Sequence, residues 1–198
     1  MVAAADWVAV ARRAKRVEYV CKPAVMVVLF AAAIVLDPAH GDRRTWFVVA
    51  LALSMLGDIF LMLPRDLFVA GLASFLLAHV AYAVGFRLHG GSDVAWAVSA
   101  FAVLAADVVL AGPVVRAVKR DHAKLLVPVL AYMVVISIMV ASAAATAVVL
   151  ATAGAVLFFS SDTLIAYNRF VRPRPWGRLA IIVTYHLGQA GLVLSLAR

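Results

Sequence analysis

Long apolar runs, separated by short polar, basic or proline-containing stretches, dominate this chain. Each run is close to the ~20 residues an α-helix needs to cross a bilayer. The runs cover 17–36, 46–63, 67–86, 94–115, 124–141, 146–167 and 177–197. The first contains Lys22-Pro23; begun at Pro23 it would keep only 14 residues, ~21 Å of helix against a ~30 Å core. Lys22 therefore belongs just inside the membrane edge. Ahead of these runs, residues 1–16 have a different pattern. Trp7, Val10, Ala14, Val17 and Cys21 recur at three- and four-residue spacing, with Arg12, Arg13, Lys15 and Arg16 elsewhere around the helix. That suits a helix lying in the membrane interface, with a frayed basic tail as the plainer alternative. The pattern predicts an all-α, polytopic transmembrane bundle: an N-terminal element over 1–16, then one helical domain over 17–198 with seven spans.

Composition agrees. Hydrophobic residues make up 66% of the chain and mean hydropathy is +1.04, whereas soluble domains average about 45–50% apolar residues. The net charge of +8 sits between the spans, where anionic lipid headgroups explain it better than nucleic acid does. One cysteine, Cys21, excludes an intrachain disulfide and a cysteine metal cage. Asp6 interrupts the first apolar residues and the basic cluster follows them, the reverse of a cleavable signal peptide. Alternate sides of the seven spans carry fourteen and four Lys/Arg residues. The richer side includes the N-terminus, so the expected orientation in the cell membrane is N-terminus cytoplasmic and C-terminus outside.

Against this background the polar residues inside the runs stand out. A charge in hydrocarbon costs at least ~2.5–3.5 kcal/mol, so an intramembrane acid usually has a function. Asp58 shares a helix face with Ser54, and Gly57 beside it allows close approach of another helix or a ligand. The next run carries His79 and Tyr82 on one face. The pattern recurs near the end of the chain, where Ser160-Ser161-Asp162 is followed by Tyr185, His186 and Gln189. Asp58 lies seven residues before Arg65 and Asp162 seven before Arg169, the outline of a parallel internal repeat. Both acids precede the basic end of their span by about five residues, ~8 Å of helix. Asp107 reaches a similar depth, and Tyr132 sits in the fifth run. Together they describe a pocket opening to the cytoplasmic leaflet, with Lys22 at its rim, acids below and imidazoles deeper. Each group also has a structural reading: the acids bonded to Tyr or Lys on neighbouring helices, the histidines and tyrosines serving packing and interhelical hydrogen bonds, Asp107 a structural or rim residue. No close metal-ligand spacing such as HExxH is present, and neither metal nor cofactor is expected.

At these positions the chain resembles the YhhN-like family of integral membrane proteins, whose characterised members are lysoplasmalogenases. The matching residues are Lys22-Pro23, Ser54-x-x-Gly57-Asp58, Leu63-Pro64, Phe68-x-x-Gly71, Phe75-x-x-x-His79-x-x-Tyr82, Gly154, Ser161-Asp162 and Tyr185-x-x-x-Gln189. They spread over about 20–195, and His186 is not among them. Family members typically have eight spans, so residues 1–16 would be a shortened first helix. The resemblance implies hydrolysis of the vinyl-ether bond of a lysoplasmalogen to a fatty aldehyde and a glycerophospho-base. Such cleavage protonates the β-carbon and lets water capture the oxocarbenium ion, which needs one carboxylic acid and one carboxylate, as in glycosidases. Asp58 and Asp162 are the expected catalytic pair. Lys22, Ser54, His79, Tyr82, Tyr132, Ser161, Tyr185, His186 and Gln189 are the expected substrate-binding residues, and a lysophospholipid within membrane lipid is the expected partner. The rival classes are a proton-coupled transporter, which would want a continuous polar path, and a lipid-binding membrane protein without catalysis. The outer halves of the spans are almost wholly apolar, against the first.

Overall fold

A backbone crossing hydrocarbon has no water to bond, so each crossing segment must satisfy its own N–H and C=O groups as a helix. The computed structural model, which describes residues 1–89 and 91–198, follows that rule, and no strand occurs among the described residues. Among the described residues seven helices are long and apolar enough to cross a membrane, and the protein is a multi-pass membrane protein. They are α2 (Lys15–Val35), α3 (Gly41–Met62), α4 (Phe68–Arg87), α5 (Asp93–Asp121), α6 (Leu126–Ala145), α7 (Val149–Phe170) and α8 (Gly177–Leu194). Helix α1 (Val2–Ala11) has ten residues, ~15 Å, half the thickness of the hydrocarbon. It turns at Arg13, whose φ is 57°, and packs against α2 and α8.

The boundaries depart from the sequence reading mainly at α5, which runs through Pro113 to Asp121 instead of ending near 115. Its 29 residues extend ~43 Å, so the turns bearing Arg116, Lys119 and Arg120 continue a helix where a basic loop was expected. A 3₁₀ turn, Ala123–Leu125, then leads into α6. The α6–α7 link is tightened by Thr146, whose hydroxyl donates to the Ala143 carbonyl (2.7 Å) and accepts from the Val148 amide (3.2 Å). Gly91 passes this link with φ +100°, and a Cβ there would stand 2.8 Å from the Ala145 carbonyl oxygen, so only glycine fits. Gly90 lies outside the described residues.

Helices pair as α3 with α4, α5 with α6 and α7 with α8, and α4 joins α6. Edge-to-face contacts of Phe47 with Tyr82 (4.9 Å) and Phe86 (5.0 Å) lock α3 to α4. The α7–α8 seam is made of glycines. A Cβ on Gly154 would meet the Leu192 amide nitrogen at 2.7 Å and the Gly188 carbonyl oxygen at 2.8 Å, so small residues let the two backbones touch. That close approach fixes the face α8 presents inward, with Tyr185 and Gln189 buried on it.

Candidate active site

Two acid centres occupy the bundle, the first built on a buried acid and the second on a partly buried one. In the first, Asp58 is almost fully enclosed and both its oxygens are engaged. Lys22 Nζ lies 2.8 Å from Oδ1, and the Tyr185 hydroxyl donates to Oδ2 at 2.6 Å. The Tyr185 oxygen lies 3.5 Å from Gln189 Nε2, which donates to it, and Gln189 Oε1 accepts from the Tyr82 hydroxyl at 2.5 Å. Each hydroxyl or amide in this chain donates toward Asp58, and such aligned bonds polarise one another. Ser54 is buried one turn away, its hydroxyl without a partner among the described residues. Gly57 lets Phe75 press on α3 here: a Cβ at that position would stand 2.6 Å from the ring.

In the second centre the Tyr132 hydroxyl donates to Asp162 Oδ2 in a short hydrogen bond. His79 Nε2 lies 3.1 Å from the same oxygen and 2.9 Å from the Tyr132 oxygen. Since Tyr132 donates its proton to Asp162, the ring must donate through Nε2–H. Its Nδ1 has no partner among the described residues. Asp162 Oδ1 takes no hydrogen bond among the described residues, and the residue lines an open groove between α4, α5, α6 and α7. That groove holds about 760 Å³ of empty space, its open side included, and is apolar apart from Asp107, Tyr132, Asp162 and Thr163. Asp107 accepts a hydrogen bond from Ser137 there. Asp58 is not among the groove's lining residues. Phe75 lines the groove and meets Tyr185 edge-to-face (5.9 Å), while Phe158 touches both His79 (4.7 Å) and Tyr185 (5.2 Å). An aromatic layer thus joins the two centres.

The partners cross over. Asp58 of α3 is bonded by Tyr185 of α8, and Asp162 of α7 by His79 of α4. Each acid takes its aromatic partner from the helix that follows the other acid. Other residues singled out in the sequence sit elsewhere. Ser161 donates to the Ile181 carbonyl (3.1 Å) and ties α7 to α8. His186 turns toward α1, where Trp7 Nε1 donates to its Nδ1 at 3.2 Å. Its Nε2 faces the buried Asp6 carboxylate at 4.0 Å, and burial pushes the Asp6 carboxyl up to about 6. Lys22, expected at the headgroup rim, has its ammonium on Asp58. Spacing gave no sign of the contacts made by Asp6, Trp7 and Phe158 or of Ser137 as the partner of Asp107; the polarity of Asp6 in an apolar stretch was the one available signal for the first of them. Among the described residues no group of three His, Cys, Asp or Glu side chains is placed to hold a metal ion.

A multi-pass membrane protein with two aromatic-linked acid centres, one of them open to a groove, is the class that fold and site define. The chain belongs to the YhhN family, whose model matches residues 17–196. It is 38% identical over 156 residues to a lysoplasmalogenase of Mycobacterium tuberculosis, covering 75% of this chain and 58% of that protein. It is 31% identical over 182 residues to rat lysoplasmalogenase TMEM86B, covering 90% and 71%. Against human lysoplasmalogenase TMEM86B the figures are 32% over 150 residues, 75% and 62%. The chain thus spans under two-thirds of the length of the mycobacterial relative. No solved structure matches it.

Proposed function

We propose that this chain is a membrane-embedded hydrolase that cleaves the vinyl-ether bond of lysoplasmalogens to a fatty aldehyde and a glycerophospho-base, with Asp58 and Asp162 carrying the acid–base chemistry. The names of its relatives support the substrate class. The observation that carries the mechanism is the different dress of the two acids. Asp162 has one oxygen held by Tyr132 and His79 and the other without a partner among the described residues in an open, apolar groove, the arrangement of a positioned proton donor. Asp58 has both oxygens held, one by a cation, the arrangement of a standing carboxylate.

In this reading Asp162 delivers a proton to the β-carbon, and the double-bond electrons form the new C–H bond. The resulting oxocarbenium ion, conjugated through the ether oxygen, is steadied at contact by the Asp162 carboxylate that proton transfer leaves, and through the aromatic layer by the field of the Asp58 carboxylate. Water adds to the cationic carbon and loses its proton to a carboxylate. The hemiacetal then collapses, releasing the aldehyde as the glycerol oxygen takes up a proton. Tyr132 and His79 orient the donor, and the Tyr82–Gln189–Tyr185 chain holds the carboxylate. Purified protein should release aldehyde from 1-alkenyl lysophospholipids and not from 1-alkyl or 1-acyl analogues; release from none of them would overturn the reading. The proposed location is the cell membrane with the N-terminus inside, from the excess of Lys/Arg on that side. Reporter fusions at Ser92 and Arg172 should then report outside and inside respectively, and a shared side would refute the orientation.

A further inference from the structure

The groove that Asp162 lines does not lead to Lys22. Two helical turns along α7 from Asp162, on the same face, α7 ends in Arg169 and Phe170, and Phe170 meets Phe68 edge-to-face at 5.6 Å. Both rings line the groove. The Arg169 guanidinium lies over the Phe68 ring, 4.0 Å from its centroid, and 5.8 Å from that of Phe170. The guanidinium head therefore rests on the aromatic rings of the groove wall and stays partly exposed. Only Nη2 is engaged, with the Asp66 oxygens at 2.9 and 3.1 Å; Nη1 and Nε have no partner among the described residues. Asp66, in the turn before α4, is held below the usual carboxylate range by this contact, so the position already receives an oxyanion.

We infer that Arg169 is the residue that binds the headgroup phosphate of the lipid occupying this groove. The inference rests on the lysolipid reading above. The helix rise puts Arg169 ~10 Å from Asp162 along the axis, a distance shared between the glycerol backbone of a lysolipid and the reach of the arginine side chain. The guanidinium keeps N–H donors free at Nη1 and Nε, each able to make a charge-assisted hydrogen bond to a phosphate oxygen beside the Asp66 contact. Lys22 is committed to Asp58 on the far side of the aromatic layer and plays no part in this contact.

The test is binding by the full chain in detergent, which does not depend on hydrolysis. The probes are a 1-O-alkyl lysophosphatidylethanolamine, a 1-O-alkylglycerol lacking phosphate, and inorganic phosphate. Wild-type protein should bind the phospholipid about ten- to hundred-fold more tightly than the alkylglycerol, the range of a lost charge-assisted contact. Arg169→Gln should remove that difference without changing alkylglycerol binding. Asp66→Asn should leave phospholipid binding intact or tighten it, because it frees Nη2; if it weakens binding as Arg169→Gln does, the pair is structural and the inference falls. Equal binding of both lipids by the wild type would also overturn it, even where Arg169→Gln does not fold. Binding of millimolar inorganic phosphate that is lost in Arg169→Gln would assign the site to free phosphate instead. A chain that binds as stated yet releases no aldehyde refutes the hydrolase reading and leaves this one standing.

Discussion

Asp162→Asn should lower aldehyde release about 10²- to 10⁴-fold, the usual contribution of a general acid, while the protein still folds and inserts. Asparagine keeps the shape and can still accept from Tyr132 and His79 through its carbonyl oxygen, but it has no proton to deliver. Asp58→Asn should be similarly severe, because the oxocarbenium ion loses the field of that carboxylate. The double variant should be scarcely slower than either single one, since groups that act as a unit are not additive. Turnover measured with the three purified variants, each checked by its retention of a monodisperse peak in detergent, decides this. An Asp58→Asn protein that keeps most of its activity would leave Asp58 as a structural acid bonded to its neighbours.

Lys22→Met should destabilise the protein by about 3–5 kcal/mol, the loss usual when one partner of a buried ion pair is removed. Asp58 is only 2% exposed and Lys22 14%, so water replaces little of what is lost. In the Lys22→Met background, Asp58→Asn should restore much of the stability by removing the orphaned charge, and should not restore activity. Thermal unfolding of the two single variants and the double one reads the coupling directly. If Lys22→Met unfolds like wild type and only raises KM, the ion pair contributes little and Lys22 acts on substrate instead.

Much of the fold was legible because its signals are local. Apolar length alone marks seven spans, and an acid within an apolar run marks Asp58 and Asp162 without knowledge of any partner. Which side chains meet was not legible, because spacing within one helix says nothing about its rotation against another. Depth alone placed Lys22 at the rim, yet the rotation of α2 brings its ammonium onto Asp58. His186 follows Tyr185 in sequence, but neighbouring residues on a helix point about 100° apart, and it faces Trp7 of α1. Phe158 read as an ordinary apolar position and Phe75 only as part of a motif, and packing alone shows that the two rings lie between the acid centres. The basic residues after 115 suggested an end to α5 that does not come. The helix continues into its basic turns, with the Asp107 carboxylate buried two turns before them.

In the proposed reaction an acid in this groove protonates a vinyl ether, so that water enters at the alkenyl carbon. Mass spectrometry of the products formed by purified protein in H₂¹⁸O tests this most directly, with a 1-alkenyl lysophosphatidylethanolamine as substrate. The expected products are the fatty aldehyde and glycerophosphoethanolamine whose glycerol hydroxyls carry no ¹⁸O, both lost in Asp162→Asn. Absence of aldehyde, or ¹⁸O in the sn-1 hydroxyl of the glycerol product, would contradict that reaction.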